Sequence, residues 1–121
     1  MKPRDVAAKI VEARARFRFE FAIMLGDNMY GGERPIDFVN KFEKPYKTLL
    51  DDGVKFYASL GNHDARQQAS YEPFNMGGRT YYTFKAPKES VRFFALETSY
   101  LDPPQLQWIE RELLFERTTT A

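Results

Sequence analysis

Apolar residues change their period several times along the chain. Val6, Ile10, Ala13 and Phe17 recur at helical spacing behind Pro3, which suits a first helical turn. Residues 19–25 then read as a strand. The unbroken run FAIML predicts burial on both faces, as in a parallel sheet. Residues 35–50 read as helix, interrupted near Pro45, where the ring removes a backbone donor. Residues 54–60 form a second short apolar strand. Strand, helix and strand make a βαβ unit, whose crossover is expected to be right-handed.

Beyond Asp64 the pattern shifts. QQASYEPFNMGG reads as a polar loop rich in turn residues. RTYYTFKAP and SVRFFALETSY are rich in β-formers and close in sequence, which predicts an antiparallel pair. Asp102 can cap a last helix, with Pro103 at its first position and Gln105 completing a capping box. Leu106, Ile109 and Leu113 give that helix one apolar face. The fold class is α/β, with no internal repeat and no low-complexity segment.

Composition narrows the picture only a little. A chain of 121 residues makes one small domain. Hydrophobic residues at 43% and charged residues at 29% are a globular balance, not that of a disordered chain. A net charge of +1 argues against a protein built to coat nucleic acid or membrane. The basic excess near the N-terminus fits a solvated helix face. Without cysteine there are no disulfides, thiolate metal sites or Cys nucleophiles, but no compartment is assigned. No apolar run reaches the roughly eighteen residues needed to span a bilayer. The N-terminus has no apolar signal-peptide core, so localisation stays open, a periplasmic or secreted setting included.

Two stretches carry chemistry. FAIMLGDNMYGG runs from strand into Gly26–Asp27, and KFYASLGNHDAR runs from strand into Gly61–Asn62–His63. His63 is the only histidine. If the two strands are parallel neighbours about 4.8 Å apart, their carboxyl ends share one sheet edge, where open α/β sheets bind ligands. Glycine before each polar residue permits a sharp turn. Asp27 can then bridge two cations, Asn62 offers a neutral oxygen, Tyr30 a phenolate, and His63 a proton for a substrate oxygen. Cation pairs about 3.5–4 Å apart activate water for in-line attack on phosphorus. The same residues also suit a plain Asx turn, a surface histidine, a turn cap and a packing tyrosine. On spacing alone both readings stand.

LGDNMY followed by SLGNHD resembles the calcineurin-like metallophosphoesterase superfamily, with its G-D and G-N-H-[D/E] blocks. The tyrosine of GDNMY is similar to the G-D-x-x-Y pattern of the purple acid phosphatase branch. FFALETSYLDPPQLQWIERELL resembles that branch's strand and Gln-Leu-x-Trp-[Leu/Ile] helix. The resemblance implies a β-sandwich flanked by helices, four layers α/β/β/α in the complete domain. It implies two divalent or trivalent metal ions, Fe, Zn or Mn. It gives Asp27 the bridging role, Tyr30 the iron phenolate and Asn62 the amide ligand of the second metal. His63 would contact the phosphate and assist the leaving group, and Asp64 would support His63.

This sequence departs from the pattern at both ends. The first block, on a strand ahead of the first helix, is absent, and no histidine follows His63. The chain is therefore expected to be the central part of one catalytic domain, lacking the first and last metal-binding motifs and inactive alone. The expected function is a metal-dependent phosphoesterase acting on a small phosphate ester, with no nucleic acid or membrane partner. The alternative is a non-catalytic remnant or binding domain that keeps the scaffold.

Overall fold

Helix α1 (Pro3–Arg16) leads into strand β1 (Phe21–Leu25). Helix α2 (Pro35–Phe38) follows, then α3 (Lys47–Asp51), then strand β2 (Lys55–Ser59). Strands β3 (Tyr82–Lys85) and β4 (Arg92–Ala95) precede a last helix, α4 (Pro103–Thr120). The computed structural model describes residues 3–87 and 90–120, with backbone alone at 3–4 and 116–120. Among the described residues no helix is long and apolar enough to cross a membrane.

The βαβ expectation holds. β1 and β2 pair in parallel, from Phe21 opposite Lys55 to Leu25 opposite Ser59. The Ser59 hydroxyl adds a bond to the Met24 carbonyl at 3.0 Å. Between them, the helical segment breaks where Pro45 predicts. α2 runs on through Val39–Glu43 with a widened turn, Lys44 N–H reaching the Val39 carbonyl at 2.8 Å. Phe38 and Phe42 both turn inward. β3 and β4 pair antiparallel, Tyr82 opposite Ala95 and Lys85 opposite Arg92. Among the described residues these are two sheets of two strands each. That is an α/β arrangement of helices and small sheets.

Aromatic rings hold it together. Phe42 meets Phe56 and Phe74 edge-on, with centroids 5.0 and 5.1 Å apart. Burial of each such side chain contributes about 1.5–3 kcal/mol, and the edge-to-face geometry a little more. Tyr57 of β2 stacks on Phe84 of β3 at 3.9 Å, and the Tyr82 hydroxyl donates to the Ala58 carbonyl at 2.6 Å. Those contacts seat the β3–β4 pair against β2.

Several expectations fail on which face is buried. β1 is not covered on both sides: on one face Leu25 is 89% exposed and Ile23 is exposed too. In α1 the inward face carries Ala7, Ile10 and Val11, whereas Phe17 is exposed. Arg14 shares that inward face. It donates to the Phe19 carbonyl at 2.8 Å and pairs with Asp52. Among the described side chains of α4 the buried ones are Gln105 and Trp108, and Leu106 and Leu113 look outward. Asp102 does cap α4, accepting from Gln105 N–H at 3.0 Å. The Gln105 side chain does not complete the box, because it bonds the Glu97 backbone at both N–H and carbonyl, 2.9 and 3.1 Å. The stretch read as a polar loop folds into two tight helical turns, Arg66–Ser70 and Glu72–Phe74. Phe74 and Met76 from it enter the core.

Candidate active site

The parallel pairing of β1 and β2 delivers both polar turns to one edge. Gly26 leaves β1 at φ +98°, and a Cβ there would stand 3.0 Å from the Gly61 Cα. Only glycine serves at such a close approach. Asp27 follows at φ +50°, a left-handed conformation that Asp tolerates better than most residues. Its Oδ1 accepts the His63 backbone N–H at 3.1 Å. A side chain on Gly61 would overlap the Asp27 backbone and carboxylate. The two turns are therefore interlocked, backbone against backbone.

Tyr30 stands on the same side. Its ring centroid is 5.5 Å from that of His63, the planes tilted by 45°. The Asp27 carboxylate beside it, with desolvation and a hydrogen bond from the phenol adding, raises the Tyr30 pKa above its ordinary value. A neighbouring negative charge disfavours a phenolate. Asn62 and His63 are exposed on the second turn, between Gly61 and Asp64. No hydrogen bond holds the Asn62 side chain among the described residues. Asp27, Tyr30 and His63 thus converge, with Asn62 on the adjoining turn.

Asp64 ties the two turns together through their amides. Its Oδ2 accepts the N–H groups of Gly61 at 2.8 Å and Asn28 at 3.0 Å. Its Oδ1 accepts the N–H of Met29 at 3.2 Å and Nε2 of Gln68 at 2.9 Å. The Asp64 oxygens thus go to amide donors on both turns. Loop amides at a strand end have no ladder partner, and a carboxylate is the strongest acceptor within reach.

Further residues shape the site without having stood out in the sequence. Asn28 Nδ2 donates to the Ser59 carbonyl at 2.7 Å and to Gln68 Oε1 at 3.4 Å. Glu33 Oε2 accepts the Ala65 N–H at 3.2 Å. Lys41 Nζ donates to the carbonyls of Tyr30 and Gly32 at 2.5 and 3.0 Å. One signal was available: Gln68 stands four residues after Asp64, a helical-turn spacing at which the two side chains can meet.

Asp27, Tyr30 and Asn62 make an all-oxygen donor set with one formal negative charge, which fits one hard cation. It does not make a full two-metal site. Among the described residues no three His, Asp or Glu side chains converge.

The family model described as calcineurin-like phosphoesterase matches residues 4–115. That span takes in both turns and most of α4. Neither the search of curated proteins nor that of solved structures returns a match.

Proposed function

The chain belongs to the calcineurin-like phosphoesterase family, and on that premise we propose that it serves metal-dependent hydrolysis of a small phosphate ester. The observation that carries the reading is the interlock of the two turns, with Asp27 Oδ1 on the His63 amide at 3.1 Å. Asp27, Tyr30 and Asn62 would hold cation, and in a complete domain of this family, a four-layer α/β/β/α sandwich, two ions would sit there. Bound divalent or trivalent cations supply Lewis-acid polarisation of the phosphoryl group and activation of water. His63, exposed beside Tyr30, offers its ring N–H to the leaving oxygen and protonates it as the ester bond breaks. Asp64 keeps the turn that carries His63 in place through its backbone bonds.

The purple acid phosphatase branch is the finer reading, and Tyr30 supports it by its place against Asp27. The raised phenol pKa sets a condition on that reading. Tyr30 becomes a phenolate more readily where a cation offsets the Asp27 charge.

A second reading, a binding domain without turnover, draws on the lack of three converging His, Asp or Glu side chains among the described residues. One experiment separates the two. Manganese is titrated into the purified chain by calorimetry, and nitrophenyl phosphate hydrolysis is followed with and without the metal. The hydrolase reading expects one weak site that Asp27→Ala abolishes, and metal-dependent turnover, where seen, selects it and overturns the expectation that the chain is inactive alone. His63→Ala should lower that turnover by about 10²–10⁴-fold and leave the bound metal in place. Metal uptake without turnover agrees with the expected inactivity of the chain alone and leaves the binding domain as the reading for this chain by itself. No metal uptake at all refutes both metal readings.

A further inference from the structure

Gln68 is wholly buried although its side chain is polar. Its amide sits between two partners on different turns. Nε2 donates to Asp64 Oδ1 at 2.9 Å, and Oε1 accepts Asn28 Nδ2 at 3.4 Å. Asn28 closes the circuit, because its own backbone N–H donates to Asp64 Oδ2 at 3.0 Å. The second bond of Asn28 Nδ2, to the Ser59 carbonyl at 2.7 Å, fastens this ring to the end of β2. Three side chains thus form a closed polar ring behind the site, and none of them was assigned a role in holding cation.

We infer that Asn28 and Gln68 are positioning residues. Together with Asp64 they hold the Asp27 turn and the Asn62–His63 turn as one rigid unit before any cation arrives. The reason lies in the backbone. Asp27 is held at φ +50°, and such conformations persist only where the surroundings over-determine them. Asn28 and Met29, the next residues, have their N–H groups fixed by Asp64. Among the described residues Asp64 has no Lys or Arg hydrogen-bond partner, so the Gln68 amide is the side-chain donor that orients it. Removing either amide frees the carboxylate to rotate, and the left-handed turn loses its anchor. A buried polar ring that is fully paired gives rigidity, and one that is half paired is weaker than none.

The consequence for the metal-site reading, on which this inference rests, is that outer residues tune affinity. Outer-shell partners typically change metal affinity by about 10–100-fold. The test has two readouts. The first is amide hydrogen exchange of the metal-free chain, compared for wild type, Gln68→Met and Asn28→Ala. The Met29 and Gly61 amides should be protected in wild type. They should exchange at least about tenfold faster in either variant, relative to the amides of β2, as expected for local opening. Phe42→Leu, a core change outside the ring, lowers overall stability and should leave that ratio alone. The second readout is the manganese affinity of the folded variants, expected to fall about tenfold or more in Gln68→Met and not in Phe42→Leu. Unprotected Met29 and Gly61 amides in wild type overturn the inference. So does an unchanged ratio in Asn28→Ala, which decides the matter should Gln68→Met fail to fold. If wild type takes up no manganese, the metal reading fails while the exchange data still judge the ring.

Discussion

Replacing Asp64 separates two roles for its carboxylate. If it steadied the His63 ring, Asp64→Asn would cost turnover and little stability. The geometry gives it to three backbone N–H groups and one side-chain amide, between 2.8 and 3.2 Å. Hydrogen bonds to a charged group contribute about 1.5–3 kcal/mol each, and entering water recovers part of that at a half-buried position. Asp64→Ala should therefore lose about 3–5 kcal/mol, a large part of the ~5–15 kcal/mol of a typical domain. Asp64→Asn keeps the shape and one acceptor oxygen. Its Nδ2 faces the donors that Oδ1 served. Gln68 can flip to accept from it, but then presents its own Nε2 to Asn28 Nδ2. At least one buried donor stays unmet, which costs about 2–3 kcal/mol. In urea, with a slope near 1–1.5 kcal/mol/M, the Asp64→Asn midpoint should fall by roughly 2 M at unchanged slope. A fall below about 0.5 M would show that these bonds carry little of the fold, and lost turnover alongside it would return Asp64 to His63.

Two further outcomes test the surrounding structure. Gly26→Ala adds a backbone clash with Gly61 to the cost of a left-handed alanine, whereas Gly77, at φ +66°, has nothing within 4 Å of its missing side chain. Gly77→Ala should lose about 1–2 kcal/mol and Gly26→Ala clearly more, and equal losses in thermal melts would refute the close approach. Burial raises the pKa values of Tyr71 and Tyr82 far above the ordinary 10.0, with the hydrogen bond to Glu43 adding at Tyr71. A raised folded-state value means that the proton is held more tightly in the fold. The stability it contributes is full below pH 10.0 and is lost progressively as pH rises beyond it. Tyr82→Phe should flatten that alkaline loss and, through the bond to Ala58, cost about 1 kcal/mol at neutral pH. An alkaline limb as steep as that of wild type would mean that Tyr82 does not titrate with unfolding.

The parts of the site legible in the sequence are those fixed by strand ends. Two apolar runs, each closed by glycine and a polar residue, placed Asp27 and His63 on one edge, because parallel neighbours leave no other option. The faces of α1 and α4 were not legible, since hydrophobic periodicity assumes that polar side chains face water. Arg14 breaks that assumption through the Phe19 carbonyl and Asp52. Gln105 breaks it by pairing with the Glu97 backbone as a strand would. In both cases the polar group turns inward because its partner lies outside the helix, and a periodic count cannot see that partner. Phe74 and Met76 were hidden for the opposite reason. The Gly, Pro and Asn around them mark turns correctly but say nothing about which way the turn's apolar residues point.

The same limit explains why three carboxylates on these turns could not be told apart from spacing. Their donors distinguish them. Asp64 has both oxygens occupied by N–H groups, two on each. Glu33 gives one oxygen to the Ala65 amide. Its other oxygen is buried without a partner among the described residues, away from the solvent that would deliver an ion. Asp27 accepts one backbone N–H and otherwise meets the phenol of Tyr30, whose proton it holds in place. A cation seeks a carboxylate with free lone pairs and access from water. Asp27 meets both conditions, Asp64 lacks the free lone pairs, and Glu33 lacks the access. The proposal that Asp27 is the cation ligand thus rests on what the other two acids are already doing.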